Sequence, residues 1–326
     1  MAVTAALAGT AVTNRAALAA SVAVLGHLPW IWILAVIVLE SASMAALAGM
    51  QWRLLAAGGA RVRVRSMLAT TLAGNALSVS VPLAGPELGT AFAFRRFTRQ
   101  GADAPLAVWS LVVGGVLSTA TAALVVVGGG LSSGNIPIMA AAVATGLLGA
   151  AALAAAVAVA RRPRPCGALE RPAAWMLQQV ARRLHRPAGQ PSQVIQSWVG
   201  QLGSLRLSRS DWITVSALAL ANWLADAAVF AVSIQAVGAA IPWRVLLLAY
   251  SLGIGAQTLN ITPGNFGIIE GTLGLTLVAA GLRASQALAA VLLYRLVSFW
   301  LIASAGWLVL LWLRRHRPLT ATSGLP

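Results

Sequence analysis

The sequence predicts an all-α, polytopic membrane protein whose helices form two inverted repeats, each with one element broken by proline and glycine. Hydrophobic residues make up 59% of the 326 residues and charged residues only 9%, against roughly 25% charged residues in soluble domains. Two apolar runs are interrupted at corresponding places, and each interruption carries a glutamate. Broken helices at matching positions of two halves are typical of transporters whose site lies near the membrane midplane.

About eight apolar helices are predicted, because apolar runs of about 20 residues are long enough to cross a bilayer. Tryptophans near many of their ends fit the aromatic belt at the membrane interface. Proline and glycine separate the runs, and a shorter helix, 87–97, follows the first break. The runs are 30–55, 67–83, 105–131, 136–160, 212–237, 245–261, 266–281 and 284–313.

The order of these elements defines the predicted domains. Residues 1–29 are interpreted as an interfacial segment or the remnant of a first span, since their apolar stretch is too short to cross the membrane. Residues 30–313 form a single transmembrane domain. Its parts are repeat one (30–160), a cytoplasmic loop with two amphipathic stripes (161–209) and repeat two (210–313), and a basic tail, 314–326, follows.

The basic residues predict the topology. All 23 are arginines, and cytoplasmic loops collect arginine. If the first span enters the cytoplasm and segment 67–97 returns to that side, as a re-entrant hairpin or as two crossings, most arginines become cytoplasmic. The loop 161–209 and the tail 314–326 are then cytoplasmic, and the protein is a multi-pass protein of the cell membrane. In this topology the first span runs into the cytoplasm, whereas span 212–237, which opens the second repeat, runs out of it. The second repeat is therefore inverted relative to the first.

This topology is testable with Cys166, the only cysteine of the chain, and with a second cysteine placed in the tail by Ser323→Cys. We expect an impermeant thiol reagent added to intact cells to leave both positions unlabelled, and to label them after permeabilisation. Rapid labelling of either position in intact cells would contradict the predicted orientation.

Ionisable side chains within the apolar runs are the candidates for binding the substrate of a transporter-type site. Each costs at least about 2.5–3.5 kcal/mol at the bilayer centre, so their presence needs a reason. Neighbouring polar residues on the same helices or at the breaks join the set. The predicted substrate-binding residues are Glu87, Glu270, Arg295, Asp226, Asn222, Tyr294 and Asn265.

Several of these residues also have a structural interpretation. Glu87 follows Pro86, so it either interacts with the positive end of a helix or receives a cationic group or proton beside a phosphate site. Arg295 either binds a carboxylate or phosphate through its planar guanidinium or forms a structural ion pair with Glu270 or Asp226. Glu40 either faces the bundle or packs as a protonated hydrogen-bond donor. Four acids cannot all pair with one arginine, so some are expected to be protonated, or to serve a cationic ligand or proton coupling.

Composition also predicts several absences. The three histidines are far apart in the sequence, and no nucleophile–base spacing or phosphate-binding glycine loop occurs. We therefore expect no catalytic residues, no metal, no cofactor and no enzymatic activity. The net charge of +16 is interpreted as an orientation signal and an attraction to anionic lipid, and not as a nucleic-acid surface.

Two blocks of sequence carry a family resemblance. Residues 261–301, ITPGNFGIIEGTLGLTLVAAGLRASQALAAVLLYRLVSFWL, combine a Pro-Gly break, a Gly-x-x-Glu, a glycine turn and a Tyr-Arg. Residues 80–107, SVPLAGPELGTAFAFRRFTRQGADAPLA, form a related block, and Gln51-Trp52-Arg53 closes the first span. Through these motifs roughly residues 20–315 resemble the lysylphosphatidylglycerol synthase transmembrane, or flippase-like, family.

The resemblance implies translocation of a lipid, which in the best-known members is an aminoacylated phosphatidylglycerol. Two departures limit what is carried over. Gly114 and Gly115 stand where the family often has an acidic residue and an arginine. The sequence also contains no soluble synthase domain, so the aminoacyl-transfer activity of fused members is not expected.

Two functions fit these observations. The first is translocation of a phospholipid or lipid-linked headgroup between the leaflets of the cytoplasmic membrane. The alternative is a membrane accessory subunit that presents a lipid or polyprenyl-phosphate substrate to a partner synthase or glycosyltransferase, and an integral-membrane enzyme is the least favoured. The expected ligands are anionic or aminoacylated phospholipids or polyprenyl-linked lipids.

Overall fold

A computed structural model describes residues 28–134, 207–257 and 262–315, together with Gly26 and isolated positions between 136 and 151. Several predicted segments lie wholly or mostly outside the described residues, and their predictions stand untested. These are the N-terminal segment 1–29, the span 136–160, the amphipathic loop 161–209 and the tail 314–326.

The described residues form helices and contain no strand, which confirms the all-α class. Residues Pro263–Asn265 form a 3₁₀ turn, and residues Leu296–Leu301 form a π-helical segment. The helices of the first repeat are α1 (Trp30–Ala57), α2 (Val64–Ser80), α3 (Gly85–Arg99) and α4 (Ala104–Ser132). Those of the second are α5 (Arg209–Ala236), α6 (Trp243–Gln257), α7 (Ile268–Ala279), α8 (Ala284–Arg295) and α9 (Ile302–Arg315).

Four helical rods in the described part of the chain are long and apolar enough to cross a membrane: α1, α4, α5 and the continuous rod Ala284–Arg315. Three other predicted spans form shorter helices in the described part of the chain. Runs 67–83, 245–261 and 266–281 form α2, α6 and α7, of 17, 15 and 12 residues. The run 67–83 continues past α2 into the first break, and the run 266–281 begins in the second break, whereas residues 258–261 lie outside the described part of the chain. The lengths of α2 and α3 favour the re-entrant alternative for 67–97.

The first helices of the two repeats, α1 and α5, pack along each other. Ser43 Oγ donates to the backbone oxygen of Asn222 at 3.0 Å, and Arg53 Nη2 lies 2.8 Å from Asp211 Oδ1. Higher numbers on α1 therefore meet lower numbers on α5, so the two helices are antiparallel. Because each opens its repeat, the repeats enter the membrane in opposite directions, in agreement with the arginine distribution.

Each hairpin, α2–α3 or α6–α7, packs on the long helix of the opposite repeat. The contact of α2 with α9 and the contact of α6 with α4 both contain a glycine. A Cβ on Gly306 would lie only 2.6 Å from the Cβ of Ala76, and one on Gly129 only 2.7 Å from the carbonyl carbon of Leu247. The absent side chains therefore let the backbones approach closely, as in other membrane helix pairs.

Apolar side chains fill the remaining space between these helices. One buried cluster contains Met50, Leu54 and Phe97, and a second contains Phe230 and Leu277. Many other large apolar side chains are exposed along the rods. An apolar exterior of this kind suits a lipid environment, so the polar residues enclosed by the bundle become the features that require explanation.

Candidate functional site: a polar cavity between the two repeats

A cavity of about 420 Å³ lies between the two repeats, partly open to the surface. Its walls include residues of α1, α2, α4 and α5, both break regions, and the α8–π segment. The lining contains six polar residues that the sequence singled out: Glu40, Asn222, Asp226, Asn265, Tyr294 and Arg295. The structure thus brings together residues that are up to 255 positions apart in the chain, on helices of both repeats.

The second break turns the chain by placing three of four neighbouring residues in the left-handed region. Gly264, Asn265 and Gly267 have φ values of 61°, 51° and 86°, which glycine adopts freely and asparagine more readily than other residues. Asn265 Nδ2 donates to the backbone oxygen of Gln257 at 2.8 Å. This hydrogen bond connects the left-handed turn to Gln257 at the end of α6.

Glu270 lies in the first turn of α7. Its Oε2 accepts a hydrogen bond from the backbone N–H of Gly267 at 2.6 Å, so it satisfies one of the donors left open at a helix start. The negative charge also faces the positive end of the helix. Glu270 therefore has a structural role at the break, and its other oxygen remains for a second partner.

Arg295 reaches this break from the end of α8. Its Nε donates to Glu270 Oε1 at 2.8 Å, and its Nη2 donates to the backbone oxygen of Gly264. The guanidinium carbon lies 4.6 Å from the ring centroid of Phe299, which is a cation–π distance. The predicted ion pair with Glu270 is thus present. A guanidinium has five N–H donors, so three are not used in these two hydrogen bonds.

The π-helical segment begins directly after Arg295. Single turns of π-helix inside α-helices are frequent at functional sites. Here the segment carries Ser298 and Phe299, and both line the cavity. The irregular turn therefore presents the arginine, its aromatic neighbour and a hydroxyl to the same space.

A second group of polar side chains surrounds Asp226 on α5. Its Oδ2 accepts hydrogen bonds from Tyr250 Oη at 2.6 Å and from Tyr294 Oη at 3.1 Å. The carboxyl group of Glu40, on α1, adjoins that of Asp226. One turn earlier on α5, Asn222 Oδ1 accepts from Ser43 Oγ at 3.2 Å. Asn222 and Asp226 thus share a face, as the sequence predicts, and both line the cavity.

Glu87 lies apart from the other candidates. It is exposed in the first turn of α3 and does not line the cavity, although its neighbour Pro86 does. Gly89 lets α3 approach α2, because a Cβ there would lie 2.7 Å from the backbone oxygen of Gly74. Glu87 itself therefore lies at a helix start, as its structural interpretation has it, and outside the cavity wall.

Sequence reasoning missed Tyr250, which donates the shorter hydrogen bond to Asp226. A single tyrosine in an apolar helix carries no pattern that separates a cavity residue from a core residue. The one available signal is chemical: a tyrosine hydroxyl buried in an apolar helix usually has a hydrogen-bond partner, and the carboxylate of Asp226 is a candidate for it. Among the described residues, no group of three His, Cys, Asp or Glu side chains is placed to hold a metal ion.

The comparisons with known proteins agree with the motifs. A family model described as the lysylphosphatidylglycerol synthase TM region matches residues 1–306. A comparison with curated proteins finds no match. The matched region contains α1 to α8, both breaks and every residue that lines the cavity. The chain is therefore a member of the lysylphosphatidylglycerol synthase transmembrane family.

Proposed function

We propose that this protein translocates a phospholipid or lipid-linked headgroup between the leaflets of the cell membrane. Family membership supports a lipid-related function in a membrane. The observation that carries the finer proposal is the polar cavity with walls from both inverted repeats. In transporters with this architecture, movement of helices from the two repeats opens such a site to one side of the membrane and then to the other.

The size of the cavity favours a headgroup over a whole lipid. A volume of about 420 Å³ is in the range of pockets for small molecules, and two acyl chains would not fit beside the headgroup. The chains would remain in the bilayer, against the exposed apolar side chains of the rods. Only the polar part of the lipid then needs a pathway across the membrane.

The charges around the cavity suggest which headgroup fits. The three remaining N–H donors of Arg295 suit phosphate oxygens, which a guanidinium binds through paired hydrogen bonds. The carboxyl groups of Glu270 and Asp226 interact with this one guanidinium, and the carboxyl group of Glu40 adjoins that of Asp226. A headgroup with both a phosphate and an ammonium group therefore complements the cavity better than a phosphate alone. An aminoacylated phospholipid has both groups.

The proposal is tested in vesicles of phosphatidylglycerol and phosphatidylethanolamine that contain the purified protein. Lysylphosphatidylglycerol is added to the outer leaflet, and its amine is measured over time with an impermeant reagent. We expect the accessible amine to fall in vesicles with protein and to stay constant in protein-free vesicles. Binding without movement would replace translocation by the accessory function, in which a partner enzyme uses the bound lipid. Chemical conversion of the lipid without a partner would indicate an enzyme.

A further inference from the structure

Glu40 of the first repeat and Asp226 of the second form a contact between two carboxyl groups. Glu40 is 2% exposed and lines the cavity. Its Oε2 is buried and has no hydrogen-bond donor among the described residues. The adjacent carboxyl group of Asp226 can only accept when it is ionised. Two ionised carboxylates at this contact would repel each other and leave Glu40 Oε2 unsatisfied.

The other groups that face this contact do not supply the missing donor. On α6 and α8, Tyr250 and Tyr294 donate to Oδ2 of Asp226 and not to Glu40. Arg295, also on α8, donates to Glu270 of α7 and to the backbone of Gly264, and Glu40 Oε2 has no partner among the described residues. The described parts of α2 and α4 contribute only Asn75, Ser78 and Ser118 as polar residues of the lining, and none of these titrates. A proton on one of the two carboxyl groups provides the donor.

We propose that Glu40 and Asp226 together bind one exchangeable proton in the wall of the cavity. The proton allows one carboxyl group to donate to the other and removes the repulsion between them, as in other carboxyl pairs that share a proton. The unpartnered oxygen of Glu40 and the contact across the α1–α5 interface lead to the same assignment independently of any lipid.

A role of the proton site in transport rests on the proposed function. With the proton bound, the pair carries one negative charge, and without it two. A headgroup ammonium that enters the cavity can replace the proton with no change in total charge. Exchange of the two cations in successive steps would couple headgroup movement to the proton gradient across the membrane, and so supply its energy source.

Infrared spectroscopy tests the proton site without any transport assay. The full chain is purified in dodecyl maltoside, which has no carbonyl group, and difference spectra are recorded between pH values. We expect the C=O stretch of one protonated carboxylic acid to disappear as the pH rises. Glu40→Gln and Asp226→Asn should each remove this band, because the amide supplies the donor and the remaining carboxyl group ionises. Asp103→Asn, which changes an exposed acid outside the cavity, should leave it unchanged.

The possible outcomes separate the proton site from the proposed function. A titrating band that survives in both Glu40→Gln and Asp226→Asn, or no titrating band in the unmodified protein, would overturn the proposal. Thermal unfolding of each variant shows that it is folded. In the vesicle assay, we expect an imposed pH gradient to drive translocation in the unmodified protein and in Asp103→Asn, and Glu40→Gln to show no gradient-driven translocation. Gradient-independent translocation would overturn the coupling, whereas a titrating band without translocation would support the site and reject the proposed function.

Discussion

Arg295→Ala and Glu270→Gln should each abolish translocation of lysylphosphatidylglycerol in vesicles while the protein stays inserted. Arg295 joins Glu270 Oε1 at 2.8 Å, both side chains are largely buried, and the guanidinium also holds the backbone of Gly264. Loss of either group leaves the other buried and unpaired, at a cost of about 3–5 kcal/mol. It also removes the group that we expect to contact the headgroup or to position that contact. Arg283→Ala, which changes an exposed arginine just before α8, should translocate normally.

A double variant distinguishes a transport role from a structural ion pair. Apolar replacement of both partners, Glu270→Leu with Arg295→Met, removes the buried charges together, and such replacements are often neutral or stabilising. We expect thermal unfolding in detergent to recover toward that of the unmodified protein while translocation stays absent. Normal translocation by the double variant would show that the pair serves only the fold.

Gly129→Ala and Gly306→Ala should each lower the free energy of unfolding by about 1–3 kcal/mol, the usual cost of overpacking a well-packed contact. The new Cβ would fall within 3 Å of the neighbouring helix in both cases, so α4 and α9 would have to move away from α6 and α2. Gly128→Ala is the matched control, because nothing lies within 4 Å of its Cβ position. Since alanine favours a helix by about 1 kcal/mol over glycine, this control should be neutral or slightly stabilising. Equal melting temperatures for Gly128→Ala and Gly129→Ala would contradict the contact.

Much of the fold follows from the sequence because its signals are local. Apolar runs identify the four long rods, and proline with glycine locates both breaks. The arginine distribution predicts the inversion seen in the antiparallel α1 and α5. The predicted runs 67–83 and 266–281 extend beyond α2 and α7 into the breaks, since residues at the breaks are themselves apolar and hydropathy does not distinguish a helix from buried irregular backbone.

The site is less accessible from sequence, because it depends on the register between distant helices. The Glu270–Arg295 pair is predictable, since one glycine turn between two consecutive helices brings residues 25 positions apart to a similar depth. Glu40 and Asp226 come from different repeats, and no spacing along the chain predicts that their carboxyl groups are in contact. Glu87 has the same proline–glycine surroundings as a binding residue, yet those surroundings also describe the exposed start of a helix, which is where it lies.

The glycine contacts also determine which parts of this protein move as rigid bodies. Gly306 joins α9 of the second repeat to α2 of the first, and Gly129 joins α4 of the first repeat to α6 of the second. A tilt of one whole repeat against the other would pull both contacts apart. A motion that keeps them must carry each hairpin together with the long helix of the opposite repeat. If both contacts persist during transport, the units that move together cut across the boundary between the two sequence repeats.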